Sequence, residues 1–224
     1  ANKLFSKMLL DESYTISVIA SCVDSTDNFN NDRKALYIEN TRQKNMGTYT
    51  VPCNALPFTQ LDRNTWQPVE KKEKGKDLSK EAVLKRAAYK KYCKHDEEIN
   101  SEVLDSLVWD KGEESLLAVI YIDGNAMGKK IKALTEGIDD YDKCVEKLRS
   151  FSLDTDSIYV EKPLKAINEC LKKKRTDEGI PADSQLHKYR KVVGGGDEIT
   201  IICNARDAKD IVLEYFKSLN SNNT

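Results

Sequence analysis

The stretch "SLLAVIYID", residues 115–123, constrains the fold more than any other part of this 224-residue chain. Residues 116–122 are all apolar, several of them β-branched or aromatic, and the run is too short for a helix. It predicts a strand buried on both faces, around which a sheet has to form. The run ends on Asp123, so the first charge after the strand lies at its carboxyl end.

The residues that follow suggest what surrounds that strand. "GNAMGKKIKAL" (124–134) turns into a helix. Tyr141, Cys144, Val145 and Leu148, and then Leu164, Ile167 and Leu171, recur at helical spacing. "KVV" (191–193) and "ITIIC" (199–203) read as two strands joined by the acidic, glycine-rich turn "GGGDE". Ala208, Ile211, Val212, Tyr215, Phe216 and Leu219 form one apolar stripe of a last helix. The order β-α-α-β-β-α gives an α+β fold, a ferredoxin-like unit without its last strand. One sheet edge therefore needs a partner, supplied either by residues beyond 224 or by a strand at 15–23.

The expected division is an N-terminal region, 1–110, and a sheet-containing domain, 111–224. The first holds a helix over 2–10, strand 15–23, a loop over 24–34 and a short helix over 34–44. A proline-rich irregular stretch, 47–76, follows, then a lysine-rich helix over 79–94 that 97–107 extends. The opening "ANKLFSKMLL" lacks an initial Met and already reads as helix, as expected of a fragment of a longer chain.

Lys+Arg numbers 36 against 37 Asp+Glu, so no bulk charge argues for a nucleic acid or a membrane surface. The lysines of the 79–94 helix could meet a phosphate backbone, although such a run is more commonly a solvated face. No apolar run approaches the ~20 residues that cross a bilayer, so no membrane partner is expected. The six cysteines form no CxxC pair, which fits reduced thiols in a cytoplasmic protein. "KHDEE" carries a His95-Asp96 pair, but with only one other histidine, His187, it cannot complete a metal site.

The chemistry gathers at two strand ends. Adjacent strands bring the 194–198 turn beside Asp123, so Asp123 and Asp197 or Glu198 come within reach of one point. Carboxylates so placed need a cation between them, and Mg²⁺ or Mn²⁺ suits such oxygen ligands, with the Gly124 carbonyl as a further one. The turn Gly124, Asn125, Ala126, Met127, Gly128 leads into a helix N-terminus, where free N–H groups favour phosphate. Lys129 and Lys130 oppose the helix dipole there unless an anion is bound. Gly195 and Gly196 let the hairpin approach the same ligand. Each part has a plainer alternative: "GGGDE" as a simple turn, Asp123 as a helix N-cap.

"VIYIDGNAMGKKI" and "VVGGGDEITIICNARDA" resemble the palm domain of the large, polymerase-like subunit of type III CRISPR effector complexes, and more broadly the GGDEF and nucleotidyl-cyclase superfamily. The resemblance is strong at 117–131 and 192–216 and looser elsewhere over 45–224. It implies a palm that binds ATP or GTP with Mg²⁺ or Mn²⁺, joins ATP into cyclic oligoadenylates when active, and works in antiviral defence with CRISPR RNA and effector subunits. It implies metal and catalytic roles for Asp123, Asp197 and Glu198, and, since such palms often need a second copy, a homodimer.

Two departures weigh on catalysis. Asn125 stands where many members carry a second aspartate, which implies one metal rather than two. Glu198 stands where the CRISPR subunits usually carry Asp. "DGNAMGKK" also lacks the aspartate-rich, Phe-Lys stretch of a diguanylate cyclase, which favours the CRISPR-type palm over that relative. An active nucleotidyltransferase, a nucleotide sensor without turnover and a degenerate structural or nucleic-acid-binding module all stay open at this point.

Overall fold

The structure is a computed structural model that describes residues 19–46, 56–92, 104–181 and 183–220. The chain separates into two compact units, 1–94 and 95–224. The segment 104–110, placed by sequence with the N-terminal region, belongs to the second unit. There the Asn204 Nδ2 amide donates to the Leu107 carbonyl at 2.8 Å, and Leu107 is fully buried.

In the first unit, helix α1 spans Phe29–Asn45, beginning five residues before the expected 34. Its start is fixed by capping: the Asn28 side chain accepts from the Asn31 N–H, and buried Asp32 accepts from the Thr26 N–H and hydroxyl. Strands β1 (Val69–Glu73) and β2 (Lys76–Ser79) form a hairpin where sequence pointed to irregular chain. Its two-residue loop, Lys74-Gly75, has positive φ at both positions (49° and 75°), the backbone that matches the twist of paired strands. Helix α2 follows at Lys80–Tyr92, close to the expected 79–94. The expected helix 2–10 lies outside the described residues, as do 15–18 of the expected strand, while 19–23 form no strand.

The second unit is α+β, as the sequence pattern predicts. Of the expected helical extension 97–107, residues 97–103 lie outside the described residues and Leu104–Leu107 form a 3₁₀ turn; β3 (Leu117–Ile122) and α3 (Met127–Thr135) follow. Helices α4 (Tyr141–Asp156) and α5 (Lys162–Asp177) are joined by a π turn, Ser157–Glu161. Strands β4 (Tyr189–Gly195) and β5 (Glu198–Asn204) and helix α6 (Ala208–Asn220) complete the order. The sheet runs β3-β5-β4, all antiparallel, with Ile122 opposite Ile199 and a bulge between Lys191 and Val193. Because β3 and β4 each pair only with β5 among the described residues, both are edges.

Period-two alternation turns Ile120, Ile199, Ile201 and Cys203 toward one side. There they pack with Val160, Leu164, Ile167 and Leu171 of the π turn and α5, and with Ile211 and Tyr215 of α6. The other side is open: Val119 is 68% and Tyr121 61% exposed. The strand expected to be buried on both faces is thus buried on one. Among the described residues helices cover only one side of this small antiparallel sheet, and the unbroken apolarity of 116–122 does not distinguish its two faces.

At the end of β5 remote from Glu198, a polar cluster fastens the chain. His187 faces Asp207 through Nδ1 at 2.7 Å and Glu178 through Nε2 at 2.9 Å. Lys174 bridges Asp207 at 2.9 Å and Asp210 at 2.8 Å. Burial works against the charge of Lys174, but hydrogen bonds to Asp210 and Asp207 hold its ammonium above the ordinary value. Trp109 packs at a tilt against His187, and Arg206 lies over Trp109 while pairing with Glu114. Among the described residues Cys22 is exposed, Cys144 and Cys203 are buried and Cys170 is half-buried. Among the described residues no helix is long and apolar enough to cross a membrane.

Candidate functional site

The β4–β5 turn is tighter than "GGGDE" suggests. Gly194 and Gly195 are in β4, Gly195 pairs with Glu198, and only Gly196 and Asp197 form the loop. Gly196 has φ 63°, a conformation that penalises any residue with a Cβ. This turn carries Asp197 to the end of β3, where Asp123 leaves the sheet.

Asp123 and Asp197 line one cavity of about 170 Å³, together with Gly124, Asn125 and Lys130 on the polar side. Ile122, Tyr159, Tyr215, Phe216 and Leu219 supply its apolar wall. Gly124 is required for this closeness: a Cβ there would stand 2.3 Å from Asp197 Oδ2. Glu198 is not among the lining residues and sits at the first pair of β5. Its charge is nonetheless felt at Tyr121. The Tyr121 phenol is pushed up first by Asp123 and then by Glu198, with burial, a hydrogen bond to Asp123 and the charge of Asp197 adding. Tyr121, on the open side of the sheet, therefore senses the charge of all three carboxylates.

Helix α3 begins as the sequence suggests, but its N-cap is Ala126, in the left-handed region at φ 61° and without a side-chain cap. Asp123 is therefore not the cap. The Ala126 carbonyl takes the N–H groups of Lys129 and Lys130 at 3.0 and 3.2 Å. Lys130 reaches the cavity lining, Lys129 and Met127 do not, and a Cβ at Gly128 would meet nothing within 4 Å. Gly195 and Gly196 serve the hairpin and are likewise absent from the lining.

The described residues contain no group of three or more His, Cys, Asp or Glu side chains arranged to hold a metal ion. Two carboxylates in one cavity do fit the manner in which Mg²⁺ is commonly held, by one or two protein carboxylates with phosphate and water oxygens completing the shell. Asp123 and Asp197 are the residues that would hold it.

The sequence reading missed the aromatic wall. Tyr215, Phe216 and Leu219 were read only as the packing stripe of α6, and Tyr159 falls in a π turn. The Tyr215 phenol is pushed up by burial, with Tyr159 and Asp197 adding, and donates to the Tyr159 carbonyl at 3.0 Å. A signal near it was Pro163, in the first turn of α5, which has no N–H to continue the hydrogen-bond ladder back into residues 157–161.

No model of a known protein family matches the chain, and no curated protein matches it.

Proposed function

We propose that the second unit is a nucleotidyltransferase- or cyclase-type palm that binds ATP or GTP through a divalent cation at Asp123 and Asp197. One observation carries this reading: two acidic strand ends, about 70 residues apart in sequence, meet in one cavity across a glycine that has no room for a side chain. At about 170 Å³ the cavity is below the ~300–1,000 Å³ of whole-ligand pockets, so it would take one part of a nucleotide. The rest would extend over the start of α3, where Lys130 and uncapped N–H groups favour phosphate. When bound, Mg²⁺ or Mn²⁺ would stabilise charge on the phosphoryl oxygens. The resemblance extends the proposal to cyclic oligonucleotide synthesis in CRISPR-associated defence.

A second reading, binding without turnover, is favoured by the lining itself. It contributes two carboxylates and the neutral amide of Asn125, and Glu198 stands apart.

Labelled ATP or GTP with Mn²⁺, tested on wild type, Asp123→Ala and Asp197→Ala, decides between them. Nucleotide products lost in both variants support the transferase. Metal-dependent binding without product supports the sensor. Wild type binding neither metal nor nucleotide overturns both readings.

A further inference from the structure

The helical rod 141–177 is widened at one place. In the π turn 157–161 the Lys162 N–H reaches the Ser157 carbonyl, five residues back instead of four. The next residue, Pro163, is buried and has no N–H. In a regular α-helix residue 163 would donate to the Tyr159 carbonyl. Here that carbonyl takes a donor from a different element: the Tyr215 hydroxyl of α6, at 3.0 Å. Tyr215 is 1% exposed, so neither its hydroxyl nor its ring is freely solvated. The same ring, with Tyr159, Phe216 and Leu219, forms the apolar wall of the cavity that holds Asp123 and Asp197.

We propose that Tyr215 is a positioning residue of the candidate site: its hydroxyl supplies the donor that Pro163 lacks, and this bond sets the aromatic wall against the two carboxylates. The inference rests on the nucleotide-binding reading above, because the wall is assigned to position that ligand. It adds that affinity depends on a hydroxyl bonded to the backbone of the π turn rather than on a group that holds the ligand. It also adds that this dependence exists only because residue 163 is proline. A half-buried carbonyl that loses its donor pulls its surroundings toward another partner, and here the surroundings are the cavity wall.

A double-mutant cycle on the full chain tests this, with calorimetric titration of Mn²⁺·ATP and urea unfolding of each variant. Tyr215→Phe keeps the ring and removes the donor; Pro163→Ala restores an N–H for the Tyr159 carbonyl. Tyr215→Phe is expected to weaken Mn²⁺·ATP binding about five- to tenfold in the natural background, and less than about twofold in the Pro163→Ala background. Rescue by an alanine that touches no ligand is a result that simple loss of packing would not produce. Equal losses in both backgrounds, or unchanged affinity with only a lower unfolding midpoint, would overturn the positioning role while leaving the nucleotide reading intact. Absence of Mn²⁺·ATP binding by wild type would instead overturn the nucleotide reading, and the positioning role with it.

Discussion

Gly124 and Asp197 are packed so closely that a β-carbon added to Gly124 would stand 2.3 Å from the Asp197 Oδ2 and 2.6 Å from its Cβ. Neither distance is tolerable, so Gly124→Ala must displace the acidic turn from the end of β3. Gly124 does not have a positive φ, and the penalty is therefore steric and local. Gly124→Ala is expected to fold with an unchanged circular dichroism spectrum and to lose about tenfold or more in Mn²⁺·nucleotide affinity by calorimetry.

Gly128 is the natural control. A Cβ there meets nothing within 4 Å, and the residue lies inside α3. Gly128→Ala should stabilise the chain by about 0.5 kcal/mol through lower unfolded-state entropy, read as a small rise in the unfolding midpoint. Affinity should stay within about twofold of wild type. A large loss would mean that ligand approaches the backbone at Gly128, as the glycine spacing alone suggested.

Much of the second unit was legible because its apolar residues keep strict periods. The stripe Ala208, Ile211, Val212, Tyr215, Leu219 gave α6 nearly residue for residue, and 199–203 gave the core of β5. The β1–β2 hairpin was not legible: "VEKKE" and "KDLS" are charged and show no inside–outside alternation, and only Lys74-Gly75 hints at a turn. The pairing of Asp123 with Asp197 followed from strand order. The separation of Glu198 from the cavity did not, because consecutive residues entering a strand diverge to opposite faces and a motif treats them as one acidic pair.

That divergence separates the two acids experimentally. Asp197 lines the cavity beside Asp123, whereas Glu198 begins β5. Asp197→Asn should abolish the Mn²⁺ dependence of nucleotide binding, and Glu198→Gln should reduce affinity by no more than about threefold, since it changes charge near the site but removes no lining group. Equal losses in a calorimetric comparison would return Glu198 to the metal-holding set.

Thiol chemistry checks the packing of the sheet. Cys203 is buried among the core residues, and burial, with the charge of Asp207 adding, pushes its thiol up to about 12. Cys144 is fully buried and Cys22 exposed. At pH 8, alkylation followed by mass spectrometry should mark Cys22 within minutes and leave Cys203 and Cys144 unmodified until urea is added. Rapid labelling of Cys203 in the native chain would mean that the helices do not hold the inner face of the sheet closed.

The first unit carries a carboxylate whose acid behaviour can be worked out in sign. Asp62 is 1% exposed and accepts from the Ser79 N–H at 2.9 Å and the Asn64 N–H at 2.8 Å, tying the turn before β1 to the start of α2. Burial works against its charge, but the backbone donors of Ser79 and Asn64, with the Ser79 and Thr65 hydroxyls, hold its carboxyl below the usual aspartate range. The folded value therefore lies below the unfolded one, near 3.9. The stabilisation is fully present above about pH 4 and is lost as pH falls through the folded value. Asp62→Ala should cost about 1–3 kcal/mol near pH 7, because it strands the buried Ser79 donor. Hydrogen exchange at the Ser79 and Asn64 amides, compared between wild type and Asp62→Ala, should show a constant gap from pH 7 to about 5 that narrows below about 4. A gap that stayed constant down to pH 2 would show that neutral hydrogen bonding, not the carboxylate charge, holds this turn to the helix.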